Sequence, residues 1–224
     1  MITLDRVTKK YRNRTVLDEI SFQIQGGEFV SIVGSSGAGK TTIIHALIGA
    51  EPINGGRITV DGQEISSMTS NEIQEYRRKI GIVFQDYKLL PQKTVFENVA
   101  FALEVAGYDD NFISHRTTDA LQLVGMENQR NSFPHQLSGG ERQRAAIARA
   151  LVHAPEMLFA DEPTGNLDPE NTMALAKLLK KINESGTTVV ISTHNQDVVN
   201  YLQKRVITLD NGKVVSDKRE ATYH

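Results

Sequence analysis

Apolar and polar residues alternate along the opening of the chain, which is the pattern of strands with one buried face. Ile20, Phe22 and Ile24 alternate with polar residues before a Gly-Gly turn, and Ile58 and Val60 do so between two glycine-containing turns. The spacing between these runs is short, and turn residues separate them. The pattern therefore predicts a β-rich N-terminal region.

The apolar period becomes helical between residues 94 and 153. Thr94 and Glu97 match a capping box, and the apolar residues that follow fall on one helical face before Gly107. A second helix is predicted over residues 113–124, where a glycine follows the last apolar position. This part of the chain is therefore expected to be a helical region.

The last third of the chain returns to alternating elements. Strands are predicted over residues 157–160, 188–192 and 206–209, and helices from about residue 169 and over residues 196–202. Strands that alternate with helices favour a parallel sheet and an α/β fold. The polar residues 216–224 are expected to form a frayed tail.

Composition narrows the classes of function. The 224 residues are enough for one large or two small domains, and the formal net charge of -2 argues against a general nucleic-acid binder. The chain has no cysteine, which excludes disulfides, thiolate zinc sites and thiol catalysis. Neither a signal peptide nor an apolar membrane span is visible, so we expect a soluble, cytoplasmic chain that needs another chain to act at a membrane.

The sequence GSSGAGKT at residues 34–41 matches the phosphate-binding pattern G-x-x-x-x-G-K-[ST]. It lies between a predicted strand at residues 28–33 and a predicted helix at residues 42–48, which is the context that this loop requires. Glycines let successive N–H groups point at phosphate oxygens, Lys40 can reach the β- and γ-phosphates, and Thr41 offers Mg²⁺ a hydroxyl. The alternative is a flexible Gly/Ser loop. The residues predicted to bind ATP here are Ser35, Ser36, Gly37, Ala38, Gly39, Lys40, Thr41 and Thr42.

A second motif, LSGGE at residues 137–141, has the features of a helix start that can hold an anion. Ser138 and Glu141 form a capping box, while Gly139 and Gly140 leave the N–H groups of the first turn uncovered. The alternative is a glycine hinge. No function is predicted for the three arginines of the same helix, because charged residues on an exposed helical face are usually solvated: Arg142, Arg144 and Arg149.

Two carboxylates follow the apolar strand MLFA at residues 157–160. Ligands bind at the carboxyl ends of strands in open α/β sheets, so we expect Asp161 to hold Mg²⁺ and Glu162 to orient the water that attacks the γ-phosphate. The alternative is that the pair serves solubility alone. His194 follows the strand at 188–192 and is expected at the same edge, within reach of the γ-phosphate. The other histidines are interpreted as structural: His45, His115, His135, His153 and His224.

With these motifs in this order, the chain resembles the nucleotide-binding subunits of ABC transporters over nearly its full length. The resemblance implies a single ABC ATPase domain over residues 1–224, with the α/β fold of P-loop NTPases. Such a domain has a mostly parallel core sheet, an N-terminal antiparallel β region and a helical subdomain, here at about residues 86–153, inserted in the core. The activity implied is hydrolysis of ATP to ADP and phosphate.

The resemblance also implies roles that the residues alone do not. Tyr11 would stack on adenine, Gln85 would sense Mg²⁺ and the attacking water, and residues 165–168 would lie across a dimer interface. Without it, Tyr11 is a surface aromatic, Gln85 a polar strand end, and Asp168 with Pro169 a helix cap followed by a first-turn proline.

In this family an ATP-dependent homodimer forms head to tail. Each ATP then lies between the phosphate loop of one subunit and Ser138, Gly139 and Gly140 of the other, and hydrolysis releases the dimer.

Within the family, the chain is most similar to subunits that act in cell division with an integral membrane permease. The segments that carry this similarity are residues 84–91 (FQDYKLLP), 94–100 (TVFENVA), 193–195 (THN) and 204–207 (KRVI). The similarity implies a position on the inner face of the membrane, control of cell-wall hydrolases, and division-ring proteins as further partners. The alternative to a role in cell division is an ATPase of lipoprotein release or macrolide export. The second alternative is a soluble ABC-type ATPase that acts on nucleic acid.

The permease contact is expected beside Gln85, through Tyr87, Leu89 and Leu90. Apolar residues between a strand and a helical segment usually pack inside the subdomain, which is the alternative for these three.

Overall fold

The alternating residues of the opening form a four-stranded antiparallel sheet in the computed structural model, which describes residues 1–219. Its strands are β1 (Ile2–Tyr11), β2 (Arg14–Ile24), β4 (Gly55–Val60) and β5 (Gln63–Glu64), in the order β2-β1-β4-β5. In the second half of β2, residues 20, 22 and 24 are buried and the residues between them are exposed, as the alternation predicted. The predicted β-rich N-terminal region is therefore confirmed.

A six-stranded sheet forms the centre of the fold, in the order β10-β9-β3-β8-β7-β6. Its strands are β3 (Phe29–Gly34), β6 (Ile80–Val83), β7 (Met157–Asp161), β8 (Thr188–Ser192), β9 (Arg205–Asp210) and β10 (Lys213–Lys218). Every neighbouring pair is parallel except β9 with β10. The carboxyl ends of β3, β8, β7 and β6 consequently lie side by side at one edge.

Apolar residues on the two faces of this sheet belong to two separate cores. Because successive side chains of a strand point to opposite faces, Leu158 and Ala160 of β7 pack into one core and Met157 and Phe159 into the other. The first core also contains apolar residues of the five helices between residues 95 and 202. The second contains those of the helix at residues 40–47 and joins the central sheet to the antiparallel sheet. The central strands are buried on both faces, as parallel strands usually are.

Seven α-helices connect the strands within residues 1–219. They are α1 (Lys40–Leu47), α2 (Ser70–Arg78), α3 (Val95–Ala106), α4 (Asp110–Leu123), α5 (Gly139–Leu151), α6 (Pro169–Glu184) and α7 (Gln196–Leu202). Helices α3, α4 and α5 pack on one another. The division of the chain into a core and an inserted helical subdomain at residues 86–153 stays a prediction.

Local caps explain where these helices begin. Thr94 accepts a hydrogen bond from the backbone N–H of Glu97, whose carboxylate accepts one from the N–H of Thr94 at 2.7 Å. Helix α4 begins three residues before the predicted start, because Asp109 caps it by accepting from the N–H groups of Asn111 and Phe112 at 3.1 Å.

Two elements differ from the sequence-based expectations. Helix α2 was not predicted, although Thr69 and Glu72 form the same kind of capping box before it. The expected frayed tail is wrong for residues 216–218, which belong to β10 and pair with β9. Asp217 forms two hydrogen bonds, of 2.8 and 2.7 Å, with the guanidinium group of Arg205. Residues 220–224 of the expected tail, with His224, lie outside the described residues.

Within residues 1–219, every helix is too short or too polar to cross a lipid bilayer.

Candidate functional site

Four adjacent strands deliver the predicted site residues to one cleft. The phosphate loop follows β3, His194 follows β8, Glu162 follows β7 and Gln85 follows β6. The cleft has a volume of about 430 Å³. Its lining residues are Val16, Ser36, Gly37, Gly39, Lys40, Thr41, Thr42, Gln85, Glu162 and His194. Residues from separate parts of the sequence therefore meet at the carboxyl ends of the strands, where a ligand site was predicted.

The phosphate loop needs glycine at its tightest point. Gly39 has a φ of 107°, and a Cβ there would lie 2.7 Å from the side chain of Leu17 and 2.9 Å from the carbonyl oxygen of Val16. Gly39 is also the N-cap of α1 and makes no side-chain cap bond, so it leaves the first-turn N–H groups uncovered. Uncovered N–H groups at a helix start are a binding site for phosphate.

Lys40 lies buried at the bottom of the cleft. Its ammonium group donates to the carbonyl oxygens of Gly34 and Ser35 at 3.0 and 3.1 Å and lies 3.4 Å from a carboxylate oxygen of Glu162. The loop thus holds a positive charge directly beneath its own N–H groups. A nucleotide phosphate would compete with Glu162 for this charge.

Asp161 is held by two hydroxyl groups. One of its carboxylate oxygens accepts from Thr41 at 3.0 Å and from Ser192 at 2.6 Å. A threonine hydroxyl beside a carboxylate is an all-oxygen donor set, which is the kind that Mg²⁺ prefers. Gln85 lines the same cleft. The three residues predicted to hold the metal therefore fit Mg²⁺ chemically.

Glu162 adopts a left-handed backbone conformation, with a φ of 45°. Its N–H donates to the carbonyl and hydroxyl oxygens of Ser192 at 3.1 and 2.9 Å, which fixes this turn. Its carboxylate lies between Lys40 and His194, whose Nδ1 is 2.9 Å from Oε2. Strained residues that their surroundings hold in place are typical of active sites.

Tyr11 ends β1 with an exposed ring beside the phosphate loop. It is not among the residues that line the cleft, but its hydroxyl lies near the side chains of Glu51 and Thr42. Burial and the charge of nearby Glu51 raise the pKa of this hydroxyl. The ammonium group of Lys9 lies 4.7 Å from the centroid of the ring. Ser35 and Ala38 of the loop also lie outside the lining.

Ser138, Gly139 and Gly140 begin α5 away from the cleft of their own chain. Ser138 is exposed, and its hydroxyl caps the helix by accepting from the N–H of Glu141. Gly140 has no room for a side chain, because a Cβ would lie 2.3 Å from Asn171. These three residues therefore do not line the cleft that contains the phosphate loop of the same chain.

Residues 165–168 pass between Gln85 and α5. Asn166 donates to the carbonyl oxygen of Gln85 at 3.3 Å, and its own carbonyl oxygen would be 3.6 Å from a Cβ on Gly139. Asp168 caps α6 by accepting from the N–H of Asn171 at 2.9 Å, which confirms the cap predicted for Asp168.

Of the residues expected to contact a permease, Leu89 packs against the core that contains α3 and α5. Tyr87 and Leu90 are half-buried. For Leu89, the structure therefore favours the alternative to a permease contact, which is packing inside the protein.

Several residues of the site were missed from the sequence. Arg14 brings its guanidinium group within 3.6 Å of the position that a Cβ on Gly37 would occupy, and Val16 lines the cleft. Ser192 donates to the carboxylate of Asp161 and accepts from the backbone N–H of Glu162, and a polar residue at the end of an apolar strand was a signal for it. Arg149 was interpreted as a solvated arginine, although it contacts the backbone beyond Gln85.

A larger cleft of about 610 Å³ opens at the opposite edge of the sheet, beside Met157 and Thr188 at the amino ends of β7 and β8. It contains none of the predicted site residues. Because ligands of open α/β sheets bind at the carboxyl ends of the strands, the smaller cleft is the candidate site.

Known proteins resemble the chain over its whole length. A family model described as ABC transporter matches residues 17–165. The chain is 48% identical to the cell division ATP-binding protein FtsE of Streptococcus pneumoniae serotype 2, with 100% of this chain and 97% of that protein covered. It is 47% identical to FtsE of Bacillus subtilis (strain 168), with 100% and 98% covered. The solved dimeric structure of the ATP-binding cassette MJ0796, in a post-hydrolysis state bound to ADP and Pi, has a TM-score of 0.91 and 35% identity, with 100% of both chains covered.

Proposed function

We propose, from the premise that this chain belongs to the ABC transporter family, that it is the ATP-binding and ATP-hydrolysing subunit of a membrane complex like that of FtsE. The observation that carries the proposal is the meeting of the phosphate loop, Glu162, His194 and Gln85 in one cleft. The identity of 48% to FtsE over the whole chain supports the cell-division assignment.

Binding of ATP would begin at the phosphate loop. The uncovered N–H groups at the start of α1 and the ammonium group of Lys40 would hold the β- and γ-phosphates, while the exposed ring of Tyr11 would stack on adenine. Thr41, Asp161 and Gln85 would hold Mg²⁺, which when bound neutralises charge on the β- and γ-phosphate oxygens. Lys40 would exchange its ion pair with Glu162 for the phosphates, which leaves the Glu162 carboxylate free to accept a proton.

Hydrolysis would then depend on Glu162. Its carboxylate would accept a hydrogen bond from a water and take the proton as the water oxygen attacks the γ-phosphorus. The bond between that phosphorus and the bridging oxygen breaks, and ADP leaves with the electron pair. His194, 2.9 Å from Glu162, would orient the carboxylate and donate to the γ-phosphate.

The site would be completed by a second copy of the chain. Ser138, Gly139 and Gly140 present a helix start that can hold an anion, yet they lie outside the cleft of their own chain. A head-to-tail homodimer would bring them onto the γ-phosphate of the other subunit. The similar cassette MJ0796 was solved as a dimer with ADP and Pi, which supports this arrangement.

The complex would act on the inner face of the membrane. An FtsX-like integral membrane permease would anchor the chain, with Tyr87 and Leu90 in the contact surface. ATP-driven closure of the dimer would then be transmitted to control of cell-wall hydrolases, with division-ring proteins as further partners.

The proposal is tested by trapping Glu162→Gln with ATP in native membranes and identifying the proteins that co-purify. A permease together with division-ring proteins or cell-wall hydrolases is expected. The double variant Lys40→Ala/Glu162→Gln, which should not hold ATP, is the matched control for nonspecific capture. A lipoprotein carrier or an export channel would instead indicate a transporter ATPase, and bound nucleic acid without a permease would indicate a soluble ATPase.

A further inference from the structure

The segment after β6 makes a turn that ordinary side chains rarely adopt. Tyr87 and Lys88 have φ values of 60° and 48°, so two successive residues other than glycine lie in the left-handed region. Each such residue costs on the order of 1 kcal/mol or more and persists only where other contacts hold it. The turn begins two residues after Gln85, which lines the nucleotide cleft. Contacts that hold this turn therefore act two residues away from Gln85, whose carbonyl oxygen also accepts from Asn166.

Arg149, in the last turn of α5, makes the contacts that hold the turn. Its guanidinium group donates to the carbonyl oxygen of Lys88 at 2.6 Å and to that of Tyr87 at 2.8 Å. Burial lowers the pKa of this guanidinium. Among residues 1–219, no carboxylate forms an ion pair with Arg149. Because a partly buried charge is stabilised by hydrogen-bond partners, the two backbone carbonyls stabilise Arg149 and Arg149 in turn supports the turn.

Further contacts tie the same turn to the other end of α5. The guanidinium group of Arg142 lies 5.5 Å from the centroid of the Tyr87 ring. The hydroxyl of Tyr87 lies 3.6 Å from the position that a Cβ on Gly139 would occupy. The turn therefore contacts α5 both at its last turn and at its glycine-containing start.

We propose that Arg149 is a positioning residue for ATP hydrolysis, which acts by fastening the Tyr87–Lys88 turn to α5 so that Gln85 and the start of α5 move as one body. Closure of Ser138 and Gly139 onto a second subunit's nucleotide would then carry Gln85 into place. The inference rests on the proposed function. Arg149 itself would not contact the nucleotide, since it does not line the cleft.

The first test is a split between binding and turnover in the full-length chain. Arg149→Ala should lower kcat for ATP hydrolysis about 10- to 100-fold, because a misplaced catalytic group costs that much. The affinity for ATP without Mg²⁺ should stay within about two-fold, because the phosphate loop is untouched. Arg149→Lys should give an intermediate kcat, since an ammonium group cannot reproduce the two-pronged contact. Arg144→Ala, on the same helix, is the matched control and should retain kcat.

The decisive measurement is a double-mutant cycle with Gln85, with kcat expressed per folded molecule by circular dichroism. If Arg149 acts through Gln85, Gln85→Ala/Arg149→Ala should have about the same kcat as Gln85→Ala alone. Effects of the two substitutions that multiply, or wild-type kcat in Arg149→Ala, would overturn the inference while leaving the proposed function intact. Absence of ATP hydrolysis by the unaltered chain would instead overturn the proposed function.

Discussion

Glu162 combines two features that rarely occur together in one residue. Its backbone is left-handed, which roughly a few per cent of residues other than glycine adopt, and its carboxylate is buried between the side chains of Lys40 and His194. Two hydrogen bonds from its N–H to Ser192 hold the backbone in this turn. The carboxylate is thus aimed into the cleft by contacts that do not depend on its charge.

Glu162→Gln is therefore expected to separate binding from hydrolysis. Glutamine keeps the shape and can still bond to His194, but it cannot accept the proton of the attacking water, so kcat should fall about 10²- to 10⁴-fold. Affinity for ATP should be retained, because Lys40 loses a competitor of the phosphates. Measurement of both in the purified chain, with Glu170→Gln on the exposed start of α6 as the control, tests this. Near-normal hydrolysis would remove Glu162 from the role of base.

Prediction from the sequence succeeded for residues whose chemistry follows from local pattern. Asp161 and Glu162 come at the end of an apolar strand, and Lys40 and Thr41 occupy defined positions in a glycine-rich loop, so the contacts of Asp161 with Thr41 and of Glu162 with Lys40 were foreseeable. Ser192 and Arg149 make contacts with residues 31 and 62 positions away, respectively. The position of Ser192 at the end of an apolar strand marked it as a candidate, but the partners of both residues depend on strand order and on the way α5 packs, which the local sequence does not reveal.

Among the elements, α3 has a start that is fixed by a capping box of Thr94 and Glu97. Thr94→Ala should lower the free energy of unfolding by about 1 kcal/mol, because it removes the hydroxyl that caps Glu97 N–H and leaves a helix donor unsatisfied. Thr94→Ser should retain most of the stability, since serine caps as well. Urea unfolding of the two variants beside the unaltered chain measures the difference. Equal stability of the alanine and serine variants would show that the Thr94 hydroxyl contributes nothing to the cap.

A second element prediction concerns His153, between α5 and β7. Burial lowers the pKa of its imidazole from the ordinary value of 6.5, and Arg116 and Arg78 act in the same direction, while a hydrogen bond to the Ala102 carbonyl opposes them. Below about pH 6.5 the unfolded chain binds a proton that the folded chain resists. This contribution to stability is therefore present above that pH and is lost as the pH falls towards the folded pKa.

His153→Gln should accordingly lose less stability than the unaltered chain between pH 7 and pH 5. Urea unfolding at several pH values in this range gives the comparison, and the difference between the two curves isolates His153 from the other titrating groups. Curves that fall in parallel would contradict the prediction.

Elements with their own stop and start signals were the most predictable from the sequence. Helix α7 has the predicted bounds, and Asn195 caps it by accepting from the N–H of Val198 at 3.1 Å. Strand β10 was missed because four of its six residues are polar. What makes it a strand is pairing with β9 and the contact between Arg205 and Asp217, neither of which its own sequence reveals. Polar edge strands are common, since they discourage further pairing.

At the scale of the whole molecule, the two groups of residues that would form the ATP site are separated within one chain. Lys40 and Glu162 share one cleft and lie 3.4 Å apart, whereas Ser138 begins α5 outside it. A head-to-tail dimer therefore predicts that each site combines Lys40 and Glu162 of one chain with Ser138 of the other.

Mixing two inactive variants tests this arrangement. Lys40→Ala and Ser138→Arg homodimers should each lack an intact site, but a mixed dimer joins the intact cleft of the Ser138→Arg chain to the intact α5 start of the Lys40→Ala chain. With random pairing, half of the dimers are mixed and each has one working site of two, so hydrolysis should return to about a quarter of the unaltered rate. Mixing Lys40→Ala with Glu162→Gln is the matched control, since these residues belong to the same half and no mixed dimer restores a site. Recovery in the control as well, or in neither mixture, would contradict a shared site.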